Sequence, residues 1–433
     1  MHFQFAHWAW DHPLNLLDHW AKPVFTLIAA PFAAFGFAGM KFLQCLLVLG
    51  TGFFVWRIAG HFKFKFAWAA PLLAFAAPEL FLSQLSGLTE PRCGFFLCLG
   101  IWLMLRQRLL LAALLLSCLP FIRTEGFLLL PAFGLYLLLI ERNWRAILLL
   151  AATTVLYSLV GGIVFGDLLW IWTKNPYAGP LDNYGAGNWT HFIEQYLFVV
   201  GIPIYGLTIL GLLATPFQII RRKLEQKAAF LLLILAPFAI YFGAHVIFWA
   251  TGTGHSMGLI RVLIAIVPLG AIIALLGLET LLAFIPPKVA IASKVLLALI
   301  LAYACLFPLL PNPASIKAKD LQLSADQRSM QNAAEWMKDQ ALDDRTVFSA
   351  YPATAYYLNT DPFDTLALRP IIQIDKGEVP IGSIIVWDNW FGELEGGITP
   401  RFLNDNSFRF KPLQSWKSQD GKRSHEITLF EKI

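Results

Sequence analysis

The chain has 433 residues, 57% of them hydrophobic and only 14% charged, and its mean hydropathy is +0.61. Soluble proteins carry about 25% charged residues, so the composition excludes an ordinary soluble enzyme and predicts a polytopic α-helical membrane protein. The net charge of +5 is explained by basic loops between spans and gives no reason to invoke nucleic acid.

Met1–Trp20 lacks a basic stretch followed by an apolar one, so it reads neither as a signal peptide nor as a clean first span. It begins abruptly, and the expectation is that the natural start lies upstream. Lys22-Pro23 opens an apolar run to Phe35 of about a dozen residues, short of the roughly 20 a spanning helix needs. It reads as an interfacial helix along the headgroups, with Lys22 at their level near anionic lipid. The first full span is expected at Phe42–Ala59. Further apolar runs follow near 66–85, 93–105, 109–122, 127–140, 146–166, 196–219, 229–250, 262–284 and 290–310. That makes about ten spans, of which 93–105 and 109–122 are short.

The loops alternate in charge. One set holds Arg57, Lys63 and Lys65, then Arg106 and Arg108, Arg142 and Arg145, Arg221 to Lys227, and Lys288 with Lys294. The other holds scattered single cations, Lys22, Lys41, Arg92, Arg123, Lys174 and Arg261. The positive-inside rule assigns the first set to the cytoplasm and the second, with the tail, to the outside. On that outer side lie Leu85–Arg92, the Arg123-Thr124-Glu125-Gly126 turn, a long loop at 167–195 and Ala250–Arg261. The long loop exceeds an ordinary connection and reads as a functional or lid segment.

After Pro311-Asn312-Pro313 the composition changes, giving an expected transmembrane domain at 1–311 and a small soluble α/β domain at 312–433. In the first, 1–41 is an outer-face loop with the interfacial helix. In the second, a helix is expected at Ala325–Gln340 and strands at Thr346–Ala350, Ser383–Trp387 and His425–Phe430. The five cysteines all precede the second domain, lie in apolar runs and read as small core residues.

The chemistry-bearing residues each admit a bland reading. Thr89-Glu90-Pro91-Arg92 suits a helix N-terminus with Thr89 as cap, and Arg123 with Glu125 suits an ion pair closing a hairpin. Both are compatible with carboxylates presented to a cavity, since charges within apolar runs are costly. Arg261, after a Gly-rich loop, is either a snorkelling anchor or a holder of lipid phosphate. His255 is an ordinary loop histidine, a hydrogen-bond donor to phosphate or a base. Asp11, His12, Asp18 and His19 cluster before Lys22 without a standard metal-ligand spacing, so a divalent cation is an open possibility. Glu79 stands near the same rim, and Asp388 with Glu393 reads as a surface loop. Trp170, Trp172, Tyr177, Tyr184 and Trp189 suit either an aromatic belt or stacking on a sugar. Asn188-Trp189-Thr190 matches a glycosylation sequon, a weak motif.

In order, Lys22-Pro23, Thr89-Glu90, Arg123-Thr124-Glu125-Gly126 and Arg261-Val262-Leu263 through Pro268 resemble the motifs of GT-C glycosyltransferases, the protein-mannosyltransferase and aminoarabinose-transferase group. The resemblance covers most of residues 1–310. It implies a transferase of the plasma (inner) membrane that moves a sugar from a polyprenyl-phosphate donor to a glycan, lipid or protein acceptor outside the cytoplasm. Its implied catalytic carboxylates are Glu90, Glu125, Asp11 or Asp18, with Arg261, His255, Lys22, Arg123, Tyr184 and Trp189 at the substrates. The family's usual acid follows a first span that this chain lacks, so either Asp11 or Asp18 substitutes or the acid lies upstream of Met1. Val24 replaces a second proline, and Thr124 stands where the family has proline. A transporter of lipid-linked sugars and a non-catalytic scaffold are the alternatives. A transporter is expected to place its polar groups at mid-bilayer with internal symmetry, whereas here they collect at one rim.

Overall fold

Proline and glycine decide where the apolar runs of this chain become separate helices. The computed structural model describes residues 1–176, 185–220, 224–254, 256–286, 290–377, 379–420 and 423–433. Contacts divide them into two compact units, His2–Ile316 and Lys317–Ile433, and each is described by itself.

In the first unit a short helix, His2–His7 (α1), is followed by Pro23–Ala33 (α2) and the long Gly36–His61 (α3). The helix α2 buries Val24, Phe25, Ala29, Ala30 and Ala33 and packs on α1 and α3, leaving Leu27 exposed. The run read as one span near 66–85 forms two helices, Ala69–Phe75 (α4) and Pro78–Ser83 (α5). Ala77 between them is extended at ψ 116°, as a residue before proline prefers. Glu90–Leu105 (α6) and Leu109–Leu116 (α7) lead to a 3-10 turn around Pro120. Gly126–Leu139 (α8), Trp144–Leu149 (α9), Ala152–Phe165 (α10) and the short Trp170–Thr173 (α11) come next. His191–Val200 (α12) and Ile202–Ile220 (α13) part at Gly201, whose φ is +81°. Leu224–Phe230 (α14) continues through a π turn into Ala236–Thr251 (α15). A 3-10 stretch, Ile260–Ile266, then feeds Val267–Ala283 (α16), and Ala290–Leu306 (α17) closes the unit.

Among the described residues, five stretches are long and apolar enough to cross a membrane: Gly36–His61, Trp144–Phe165, Gln226–Thr251, Ile260–Ala283 and Ile291–Leu309. Four shorter apolar helices accompany them. The remaining runs are shorter helices because Pro78, Pro120 and Gly201 interrupt sequences that composition reads as continuous. Ile260–Ala283 is 94% buried, against 17% to 44% for the other four, so it is the axis of the unit. A helix this apolar on every side belongs inside a bundle.

Two glycines bring α13 against that axis. A Cβ on Gly211 would lie 2.0 Å from the Ile273 carbonyl oxygen, and one on Gly277 would lie 2.0 Å from that of Leu207. Close backbone approach through small residues is how helices gain packing energy where water supplies no hydrophobic drive.

The second unit is a five-stranded sheet in the order β2-β1-β3-β5-β4. Val347–Ser349 (β1), Leu368–Pro370 (β2) and Ile384–Asp388 (β3) are parallel, while Phe410–Asp420 (β4) and Arg423–Lys432 (β5) add antiparallel strands. The helix Ala325–Asp339 (α18) covers one face through Met330, Ala333, Ala334 and Met337. The expected helix and three strands are present. β2 and β4 are additional: β2 has only three residues, and β4 is a polar edge strand with an irregularity between Pro412 and Gln414. Asp388 is a correction. It is not in a surface loop but ends β3 at 4% exposure, its carboxylate accepting N–H groups from Trp390, Phe391 and Gly392.

Gly277→Ala is expected to force α13 and α16 apart and cost about 1–3 kcal/mol, the usual range for overpacking. The check is the thermal midpoint of the purified protein, which falls for Gly277→Ala and stays unchanged for Gly243→Ala, where a Cβ meets open space.

Candidate active site

The turn between α7 and α8 is tight because position 126 carries no side chain. A Cβ there would lie 2.4 Å from the Leu119 carbonyl carbon. The turn closes through Arg123 N–H to Leu119 O (2.9 Å) and Gly126 N–H to Arg123 O (2.9 Å). This aims Arg123 inward, where it is buried.

Arg123 joins two carboxylates. Its Nη1 lies 2.7 Å from Glu90 Oε1 and its Nη2 lies 2.7 Å from Glu125 Oε1. Nη1 also donates to Thr89 Oγ1 at 3.0 Å. Thr89 therefore does not cap α6 with its side chain; its hydroxyl sits between Arg123 and Glu90 Oε2 (3.4 Å). Glu90 stands in the first turn of α6 and Glu125 immediately precedes α8, where helix dipoles favour negative charge.

Three further groups reach this pair. Arg261 Nε lies 3.7 Å from Glu90 Oε1, and the Arg261 side chain is 46% exposed. His245 Nε2, from α15, lies 3.6 Å from Glu125 Oε1. Lys22 Nζ donates to Thr124 Oγ1 at 2.8 Å. Lys22 itself has φ +62°, a left-handed conformation costly for a side-chain-bearing residue, immediately before Pro23. The cluster thus holds Arg123, Arg261 and Lys22 against two carboxylates. Because Arg123 lies between both acids, the surplus charge resides toward Arg261 and Lys22. A cavity of about 70 Å³ opens beside Lys22 and Thr124, lined also by His19, Trp170, Trp172 and Asn175.

The other expected residues are elsewhere. Asp11 is exposed. Asp18 accepts N–H groups from Trp20 (2.7 Å) and Ala21 (2.8 Å), so its carboxylate shapes the turn into Lys22. His19 reaches the Trp170 carbonyl at 3.3 Å. Trp170 is buried and donates to Tyr157 O, whereas Trp189 is 55% exposed. Glu79 is half-buried in the first turn of α5. His255, Tyr177 and Tyr184 lie outside the described residues. No group of three or more His, Cys, Asp or Glu able to hold a metal occurs among the described residues.

Sequence reasoning passed over His245 and gave Arg92, within the Thr89–Arg92 stretch, no role of its own. His245 is buried one helical turn after Tyr241, their rings 4.8 Å apart. The available signal was an ionisable residue inside an apolar run, which is costly enough to demand a reason. Arg92 is fully buried, with its guanidinium 3.7 Å from the Phe25 ring and Nη1 donating to Phe25 O at 3.0 Å. It ties α6 to the helix that Lys22 begins.

Apolar helices, five stretches of them among the described residues long enough to cross a membrane, carry acidic and basic side chains at their ends and are followed in the chain by a small sheet-bearing unit, the architecture of a multi-pass membrane protein. Two solved structures share it. The crystal structure of ArnT from Cupriavidus metallidurans bound to undecaprenyl phosphate has a TM-score of 0.57 and 12% identity, covering 94% of this chain and 86% of that one. ArnT from the same organism in the apo state gives a TM-score of 0.55 at 12% identity over the same shares. No protein-family model matches the sequence, and no curated protein matches it. At this identity the likeness is one of fold.

Arg123→Met leaves the buried Glu90 and the half-buried Glu125 without their common partner, and breaking a fully buried pair costs about 3–5 kcal/mol. The melting midpoint is expected to fall sharply. Combining it with Glu90→Gln and Glu125→Gln is expected to restore much of the loss, because the uncompensated charges are gone.

Proposed function

We propose that the protein is a glycosyltransferase that moves a sugar from a polyprenyl-phosphate donor to an acceptor on the extracytoplasmic side of the membrane. The observation that carries this reading is the bridge Glu90–Arg123–Glu125 with Arg261 and Lys22 gathered beside it. Such a set supplies both a base and an anion-stabilising surface. The undecaprenyl phosphate in one ArnT structure supports the donor class. The basic loops support the sidedness and an inner-membrane location with the second unit outside. The mannosyltransferase-like specificity rests on the sequence motifs alone.

In the proposed reaction Glu125 takes the proton of the acceptor hydroxyl. It is the more open acid, its side chain 19% exposed against 4% for Glu90. The acceptor oxygen attacks the anomeric carbon, the bond from that carbon to the phosphate oxygen breaks, and the electron pair leaves with the polyprenyl phosphate. Arg261 and Lys22 stabilise the departing anion, and such preorganised charge is a large term in transfer reactions. Glu90 orients Arg123 and Arg261. Asp18 contributes by setting the turn that presents Lys22.

Glu125→Gln and Arg261→Ala are each expected to lower turnover by about 10²-fold or more while insertion persists. The measurement is release of polyprenyl phosphate from a lipid-linked sugar in membranes, and near-normal rates in both variants would remove the mechanism. Sidedness has its own check. In a Cys305→Ser background, Arg401→Cys is expected to react with an impermeant maleimide in intact cells, and Arg142→Cys only after lysis.

A further inference from the structure

The second unit contains a cavity of its own, about 310 Å³, within the size range of ligand pockets, about 300–1,000 Å³. Its position follows from the order of the strands. The chain leaves β1 for β2 on one side and later places β3 on the other, all three parallel. The reversal opens a crevice at the carboxyl ends of β1 and β3, where open α/β sheets take their ligands. Tyr351 follows β1 there, and Asp388, Asn389 and Trp390 end and follow β3, with Asp326, His425 and Glu426 also among the lining residues.

The chemistry of the lining excludes an anion. In nucleotide-binding α/β units, N–H groups after a strand cradle phosphate. Here the N–H groups of Trp390 (3.0 Å), Phe391 (2.6 Å) and Gly392 (3.2 Å) already donate to the Asp388 carboxylate. Asp326 and Glu426 add two further acids, Asp326 accepting from the Tyr351 hydroxyl at 2.7 Å. Burial pushes the Asp388 carboxyl above its ordinary range, and the Asp326 charge adds to that. Hydroxyl or ammonium donors find acceptor oxygens on these carboxylates, and a cation or donor beside Asp388 offsets the burial of its charge. Tyr351 and Phe391, with rings 5.4 Å apart, and the half-buried Trp390 supply apolar faces beside them. Acceptors flanked by aromatic rings suit the polar edges and apolar face of a pyranose.

We propose that this crevice is a saccharide-binding site, separate from the Glu90–Arg123–Glu125 cluster, that takes neutral or amino-bearing sugars and rejects acidic ones. It does not depend on the transfer reaction proposed above. The test uses the full chain in nanodiscs free of sugar detergents, with saturation-transfer NMR on glucose, glucosamine and glucuronate. Glucose and glucosamine are expected to show transfer at least several-fold above glucuronate. Trp390→Ala and Asp388→Asn are expected to abolish it, and Glu125→Gln to leave it intact. Asp388→Asn also weakens the turn it closes, so Tyr351→Phe, which keeps the ring, is run beside it and is expected to give partial loss. Absence of transfer, equal transfer to glucuronate, or a signal that survives Trp390→Ala overturns the proposal.

Discussion

The contact between Arg123 and the two acids Glu90 and Glu125 is the constraint on which the first unit depends. In an apolar setting an isolated buried charge is far more costly than a paired one. Glu90 begins α6, Glu125 begins α8, and Arg123 lies in the turn between α7 and α8. All three are tolerated only when these helix ends lie at one level. His245 and Arg261 extend the same requirement to α15 and to the 3-10 stretch before α16. The ionic cluster therefore fixes the register of helices that apolar packing alone would leave free to slide.

Register needs a rigid frame, and the glycines and prolines provide it. Gly211 and Gly277 allow α13 to touch the buried axis backbone to backbone. Gly126 lets the Arg123 turn close on the Leu119 carbonyl. Pro78 begins α5 after an extended Ala77, and Gly201 separates α12 from α13, so neither apolar run forms one continuous helix. Small residues thus do in this unit what apolar complementarity does in a soluble core: they decide which surfaces meet.

Much of this was legible in the sequence, for identifiable reasons. The membrane character, the helix α18 and three of the strands follow from composition and periodicity, which are local properties. Glu90, Arg123, Glu125 and Arg261 stand out because each interrupts or borders an apolar run. The structure brings these four together with Lys22 and leaves Asp11 and Trp189 exposed. His245 was missed because one histidine in twenty apolar residues looks like noise until its partner is known. The cavity of the second unit was invisible for a different reason. It is made by strand order, and order is a property of topology that no local window contains. Asp388 read as surface loop because WDNW is polar, yet it ends β3 and its carboxylate accepts three N–H groups of the turn that follows.

The departure at position 124 has a physical explanation. A proline there offers neither donor nor side-chain acceptor, whereas Thr124 accepts the hydrogen bond of Lys22. Lys22 needs such an anchor, because its positive φ before Pro23 stores roughly 1–3 kcal/mol of backbone strain. Arg92, over the Phe25 ring and bonded to the Phe25 carbonyl, holds the same helix two residues further on. Strain kept in place by contacts from two other segments is preorganisation: the ammonium is aimed before any ligand arrives, so its orientation is not a cost of binding. In this chain, then, the threonine and the strained lysine are one feature, and neither is intelligible without the other.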